Sequence, residues 1–118
     1  MTERPAIGIG LMSGTSLDGM DAALVRFSGP THAELMAFIT RPYSEPERAS
    51  IQRGLDGANA AELARLHAAI SAWAADAVEE VLAAAHVPAS AVDFIAMHGQ
   101  TLWHEPPLVS WQLGEPAV

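Results

Sequence analysis

Ile7-Gly-Ile-Gly-Leu-Met-Ser-Gly-Thr-Ser-Leu-Asp-Gly-Met-Asp-Ala-Ala-Leu-Val-Arg-Phe27 is the stretch on which the fold turns. Residues 6–12 and 20–28 read as two apolar strands, and the segment between them is polar and Gly-rich. A strand, a polar loop and a second strand can offer free backbone N–H groups and hydroxyls to phosphate oxygens without a helix. Gly14 and Gly19 permit close approach and positive φ. Thr15 and Ser16 add hydroxyl donors beside their amides. Each bond of this kind to an ionised phosphate contributes about 1.5–3 kcal/mol, so two or three decide the affinity for a phosphate tail. Asp18 and Asp21 are suited to holding Mg²⁺ through water, because that ion keeps part of its hydration shell. The competing reading is a plain hairpin in which Asp18-Gly19 supplies the turn. From local chemistry alone the two readings stand level.

Outward from this hairpin, Ser28-Gly29-Pro30 marks a second turn and residues 33–40 a third strand, which makes an antiparallel meander. Ser44-x-x-Glu47 is a capping box ahead of a short helix over about residues 46–55, ended by Asp56-Gly57. Asn59-x-x-Glu62 repeats that arrangement before a long helix from residue 60 to 86. Leu63, Leu66, Ile70, Trp73, Ala77 and Val81 fall on one face of it, and Val87-Pro88 is expected to stop it. Residues 91–97 read as a buried strand, followed by the polar cluster 98–101 and a last extended piece at 108–113. The order β-β-β-α-α-β-(β) places a crossover long enough to set the fourth strand parallel to an earlier one. The fold class is α/β, a β-meander followed by helices and a parallel fourth strand, and its 118 residues fit one domain.

Composition excludes several functions. The net charge is −8, with six arginines and no lysine, so a phosphate-backbone partner is repelled and no nucleic-acid binding is expected. Without lysine there is no Walker-type clamp, and Gly8-x-Gly10 lies within a strand rather than at a strand-to-helix turn, so it is no dinucleotide fingerprint. There is no cysteine, which removes disulfide and thiolate chemistry. Charges interrupt each apolar run, and no signal segment or membrane span is expected. Cytoplasmic location is the expectation.

A second group of polar residues is His98-Gly99-Gln100-Thr101, with Trp103 and His104 behind it. At the C-terminal end of a strand such groups line ligand crevices in α/β sheets. Amide, hydroxyl and imidazole bonds, with Trp103 as a stacking face, suit a sugar. The alternative makes His98 and His104 structural and Trp103 core, and spacing alone favours that alternative. His-x5-His without a carboxylate set is a poor zinc signal. His67, His86, Glu79 and Glu80 read as ordinary helix residues, and Trp73 as packing against the sheet.

Taken together, the first stretch through Asp21, Ala96-Met-His-Gly-Gln-Thr-Leu-Trp-His-Glu-Pro106 and Trp111-Gln-Leu-Gly114 resemble the anhydro-N-acetylmuramic acid kinases. The resemblance spans most of the chain. It implies a ribonuclease H-like lobe of the actin-like ATPase fold, and a reaction in which ATP phosphorylates O6 of 1,6-anhydro-N-acetylmuramate while water opens the anhydro bridge. The product, N-acetylmuramate 6-phosphate, belongs to peptidoglycan recycling. The nucleotide segment falls on Gly14, Thr15, Ser16, Leu17, Asp18, Gly19, Met20 and Asp21. The resemblance assigns His98, Gly99, Gln100 and Thr101 to the sugar. Where the wider superfamily carries an aspartate near the metal, this chain has Met12, and Asp18 is the candidate for Mg²⁺ instead. Family members are much longer, and their general base and adenine-contacting elements lie beyond residue 118. The expected partner is therefore a C-terminal lobe of the same protein, and a lone lobe is expected to self-associate as a homodimer or aggregate. The alternative is a non-catalytic ribonuclease H-like nucleotide-binding or assembly module.

Overall fold

Residues 6–13 and 19–27 alternate between side chains that meet a core and ones that face away from it, the period of a half-buried strand. In the computed structural model they form β1 (Ala6–Ser13) and β2 (Gly19–Phe27), paired antiparallel from Ala6 opposite Phe27 to Ser13 opposite Met20. The structure describes residues 5–13, 17–105 and 109–113, without the side chains of 99, 101–105 and 109–113. A turn held by Ser28 N–H donating to the His32 carbonyl leads to β3 (Ala33–Pro42), antiparallel to β2.

Both helices start where the capping boxes predict. Ser44 and Glu47 exchange hydrogen bonds ahead of α1 (Glu45–Gly57), and Asn59 and Glu62 do so ahead of α2 (Ala60–Ala85). Two of the orphan donors at each N-terminus are thereby satisfied. The long helix ends one residue before the expected boundary. His86 turns into the left-handed region (φ 55°), and its N–H and that of Val87 return to the carbonyls of the last turn.

A five-stranded sheet results, in the order β3-β2-β1-β4-β5, with β4 (Phe94–Glu105) parallel to β1 and β5 (Val109–Leu113) antiparallel to β4. This is the mixed α/β architecture expected, but the fourth strand differs in extent. It starts three residues later than predicted because the backbone of residues 88–92 bonds to itself in a 3₁₀ turn over Ala89–Ala91. Pairing begins where Asp93 N–H donates to the Ile7 carbonyl (2.8 Å) while the Asp93 carboxylate accepts from Ile7 N–H (2.8 Å). At its far end β4 does not stop at Met97. Its register to β1 shifts between Leu11 and Ser13, and from Gln100 onward it pairs with β5. The cluster 98–101 is thus inside a strand, not beyond one.

One face of the sheet carries the core. Ile9, Leu11, Met20, Ala22 and Leu24 pack with Ile51 of α1 and with Leu66, Ile70, Ala74, Ala77 and Val81 of α2. Four of the six apolar positions assigned to the α2 stripe are buried, and Leu63 and Trp73 are partly so. Each fully buried aliphatic side chain contributes roughly 1.5–3 kcal/mol of transfer free energy. On the opposite face Met12, Phe38 and Phe94 are exposed, and the Phe94 ring lies over the bare Cα of Gly8. Among the described residues no helix is long and apolar enough to cross a membrane.

Candidate functional site

The loop between β1 and β2 is defined by its two stems. At the leading stem Ser13 is 2% exposed, and its Oγ lies 2.5 Å from both the Tyr43 hydroxyl and Gln100 Oε1. Ser13 has one hydroxyl proton and gives it to Gln100, so the Tyr43 hydroxyl is the donor to Ser13 Oγ. Burial pushes the Tyr43 phenol above its ordinary pKa, which keeps that proton in place.

At the trailing stem Leu17 is buried with φ 58°, a left-handed conformation that a leucine rarely adopts. Two bonds hold it there. Arg48 Nε donates to the Leu17 carbonyl (3.1 Å), and Tyr43 N–H donates to the Asp18 carbonyl (3.1 Å). Positive φ therefore falls on Leu17 and not on Gly19. The small size of Gly19 serves β3 instead, because a Cβ there would meet the Arg41 carbonyl oxygen and the Thr40 side chain.

Behind Tyr43 lies a charged and aromatic support. Arg41 makes a bidentate pair with Glu47 (3.0 and 2.9 Å), reaches Asp76 on α2 (3.4 Å), and sits 6.0 Å from the Trp73 ring centroid. Trp73 packs in turn on the Tyr43 ring at 5.4 Å. The Arg41 hydrogen bond is the main cause holding the Glu47 carboxyl below its ordinary pKa, and the same bond raises that of Arg41.

The outer face of the sheet has an open depression of about 550 Å³ bounded by Gly10, Met12, Asp21, Ala23, Phe38, Ala96 and His98. Asp21 is the cross-strand partner of Met12, and Thr40 Oγ1 donates to its carboxylate (2.7 Å). One residue from each sequence cluster, Asp21 and His98, thus borders a single hollow.

The remaining predicted residues are distributed as follows. Gly14, Thr15 and Ser16 lie outside the described residues, as do the side chains of Thr101, Trp103 and His104. Gly99 and Thr101 are placed only by their positions in β4. Asp18 is exposed beside the trailing stem. Met20 and Gln100 are both 0% exposed. The Met20 side chain packs in the core, and that of Gln100 faces Ser13 rather than an open cleft, so strand alternation has turned both inward. Among the described residues no three His, Asp or Glu side chains gather as a metal cage. An Mg²⁺ held by one or two carboxylates plus phosphate oxygens and water needs no such cage.

Sequence reasoning missed Ser13, Tyr43 and Arg48. Ser13 carried a legible sign, a lone hydroxyl at a core-facing strand position, where a partner is obligatory. Tyr43 and Arg48 had none, since their contacts span 25 or more residues of chain.

The model of a family described as anhydro-N-acetylmuramic acid kinase matches residues 6–118. The anhydro-N-acetylmuramic acid kinase of Rhizorhabdus wittichii is 40% identical over 120 residues, covering 95% of this chain and 33% of the relative. That of Bacillus thuringiensis subsp. konkukian is 37% identical, covering 93% and 32%. That of Bacillus cereus strain AH820 is 38% identical, covering 92% and 31%. The chain spans about a third of the length of these curated relatives.

Proposed function

The chain belongs to the anhydro-N-acetylmuramic acid kinase family, and we propose that it is the N-terminal lobe, residues 1–118, of a two-lobed ATP-dependent sugar kinase. The whole protein converts 1,6-anhydro-N-acetylmuramate and water to N-acetylmuramate 6-phosphate, in the cytoplasm and in the service of peptidoglycan recycling. The O6–C1 bond breaks, O6 takes the γ-phosphoryl group as ADP leaves, and water oxygen bonds to C1 as a hydroxyl, giving up one proton to solvent. Phosphoryl transfer asks a protein mainly for positioning and charge stabilisation. This lobe supplies positioning for the anionic tail of ATP, through Gly14, Thr15 and Ser16 with Asp18 and Gly19 at the trailing side. Mg²⁺, when bound, neutralises charge on the phosphate oxygens, and Asp18 and Asp21 are the carboxylates of this lobe that would hold its water shell. His98 borders the hollow from the sugar side, with Gly99 and Thr101 following it along β4. Leu17, Met20 and Gln100 belong to the same segments and act by packing and hydrogen bonding beneath them.

The observation that carries this reading is the family match over residues 6–118. The structure supports it by bringing β1, β2 and β4 together, so that Asp21 and His98 border one hollow. The test is product formation by the protein at its full natural length, with Asp18→Asn combined with Thr15→Ala. ATP affinity and rate are expected to fall together, and unchanged values would remove the hairpin from the mechanism. The 118-residue chain alone is expected to bind nucleotide weakly, to turn over nothing and to self-associate.

A further inference from the structure

Both stems of the β1–β2 loop are fastened to one short segment, and one residue of that segment serves both. The hydroxyl of Tyr43 donates to Ser13 Oγ, while its backbone N–H donates to the Asp18 carbonyl. Arg48, one turn into α1, holds the adjacent Leu17 carbonyl. Ser13 passes the connection on to Gln100 on β4. The tyrosine ring is itself fixed from behind by Trp73 of α2.

We propose that Tyr43 is a positioning residue that sets the separation and direction of the two loop stems, with Ser13 and Gln100 extending that control to β4. Side chain and amide of one residue move together, so the leading stem cannot shift against the trailing one without breaking a bond. Leu17 holds its left-handed backbone because its carbonyl and the next are both occupied. The device deepens the kinase reading given above and rests on it for its purpose, which is to present loop amides to phosphate without reorganisation.

The geometry predicts that Tyr43→Phe, which keeps the ring on Trp73, loosens the trailing stem although the deleted oxygen touches only the leading one. In the protein at full natural length, hydrogen exchange at the amide of residue 43 should rise about tenfold, the factor for one lost hydrogen bond. Exchange at Ile70 and Ala74, in the middle of α2, should not change. Ser13→Ala should have the same effect, and the double variant no more than either single one, because the two substitutions break one link. Unchanged exchange at residue 43 in both single variants, or additive effects in the double variant, overturns the proposal. ATP binding by the same variants separates it from the reading beneath it. Faster exchange with weakened ATP binding sustains both, whereas faster exchange with unaltered ATP binding keeps the clamp and discards the phosphate role of the loop.

Discussion

The two faces of the sheet use the same strands to opposite ends. On the helix-covered face the described central positions serve stability: Ile9, Met20 and Leu24 are fully buried, and even the polar residues there, Ser13 and Gln100, are closed into hydrogen bonds. On the other face Met12 and Phe38 are more than half exposed, and the polar residues Asp21 and His98 stand at the edge of a hollow. Alternation with a period of two places these sets side by side, so neighbouring residues in one strand answer to different demands. One face holds the sheet to its helices, and the other leaves polar side chains open to solvent.

The sharpest way to break that contrast is a pair of truncations. Leu24→Ala should cost about 2–5 kcal/mol in denaturant unfolding, through lost transfer energy and a cavity. Phe38→Ala, on the opposite face, should cost less than about 1 kcal/mol. Equal losses would mean that the outer face is covered in the folded protein and that the contrast is false.

Next in size is Gly8→Ala, expected to cost about 1–3 kcal/mol because the new methyl meets the Phe94 ring. Phe94→Leu in the same chain should recover most of the loss. Recovery would show that Gly8 is small for the sake of its strand neighbour and not for a ligand.

A smaller effect, about 1–2 kcal/mol, is expected for Glu47→Gln, which weakens both the α1 cap and the pair with Arg41. Its pH dependence has a definite sign. The folded protein holds the Glu47 carboxyl below its ordinary pKa. Its contribution is therefore complete above the usual carboxylate range, around pH 4, and fades as pH falls through the lowered value. Wild type and variant should converge in stability under acid, and a gap that persists there would assign the loss to packing. The smallest effect is expected for Met12→Ala, within about 0.5 kcal/mol, measured by thermal unfolding.

Much of the architecture was legible because it is written locally. The two capping boxes announce both helix starts within a few residues, and the α2 stripe gives its buried face. The meander follows from short turns. What escaped was non-local. Nothing near residue 97 signals that β4 exchanges β1 for β5 and runs on to Glu105, since that depends on a strand contributed later in the chain. The candidate site was legible as composition but not as geometry. The loop and the 98–101 cluster stood out by residue type, yet which of their side chains turn inward depends on register. Met20 and Gln100 point to the core, while Asp21, one residue from Met20, does not. Tyr43 looked like a residue between a strand and a helix, and only the fold brings it against both ends of the loop.

The pairing of β1 with β4 joins the first and last thirds of the chain, with Ile7 and Asp93 separated by 86 positions. During synthesis the meander and both helices leave the ribosome before β4 exists, so one side of β1 stays unsatisfied until that strand emerges. Contacts over such separations close slowly, after local structure has formed. Arrival of β4 thus completes the pairing of β1, and a nascent chain paused before Asp93 leaves that strand edge open to other chains.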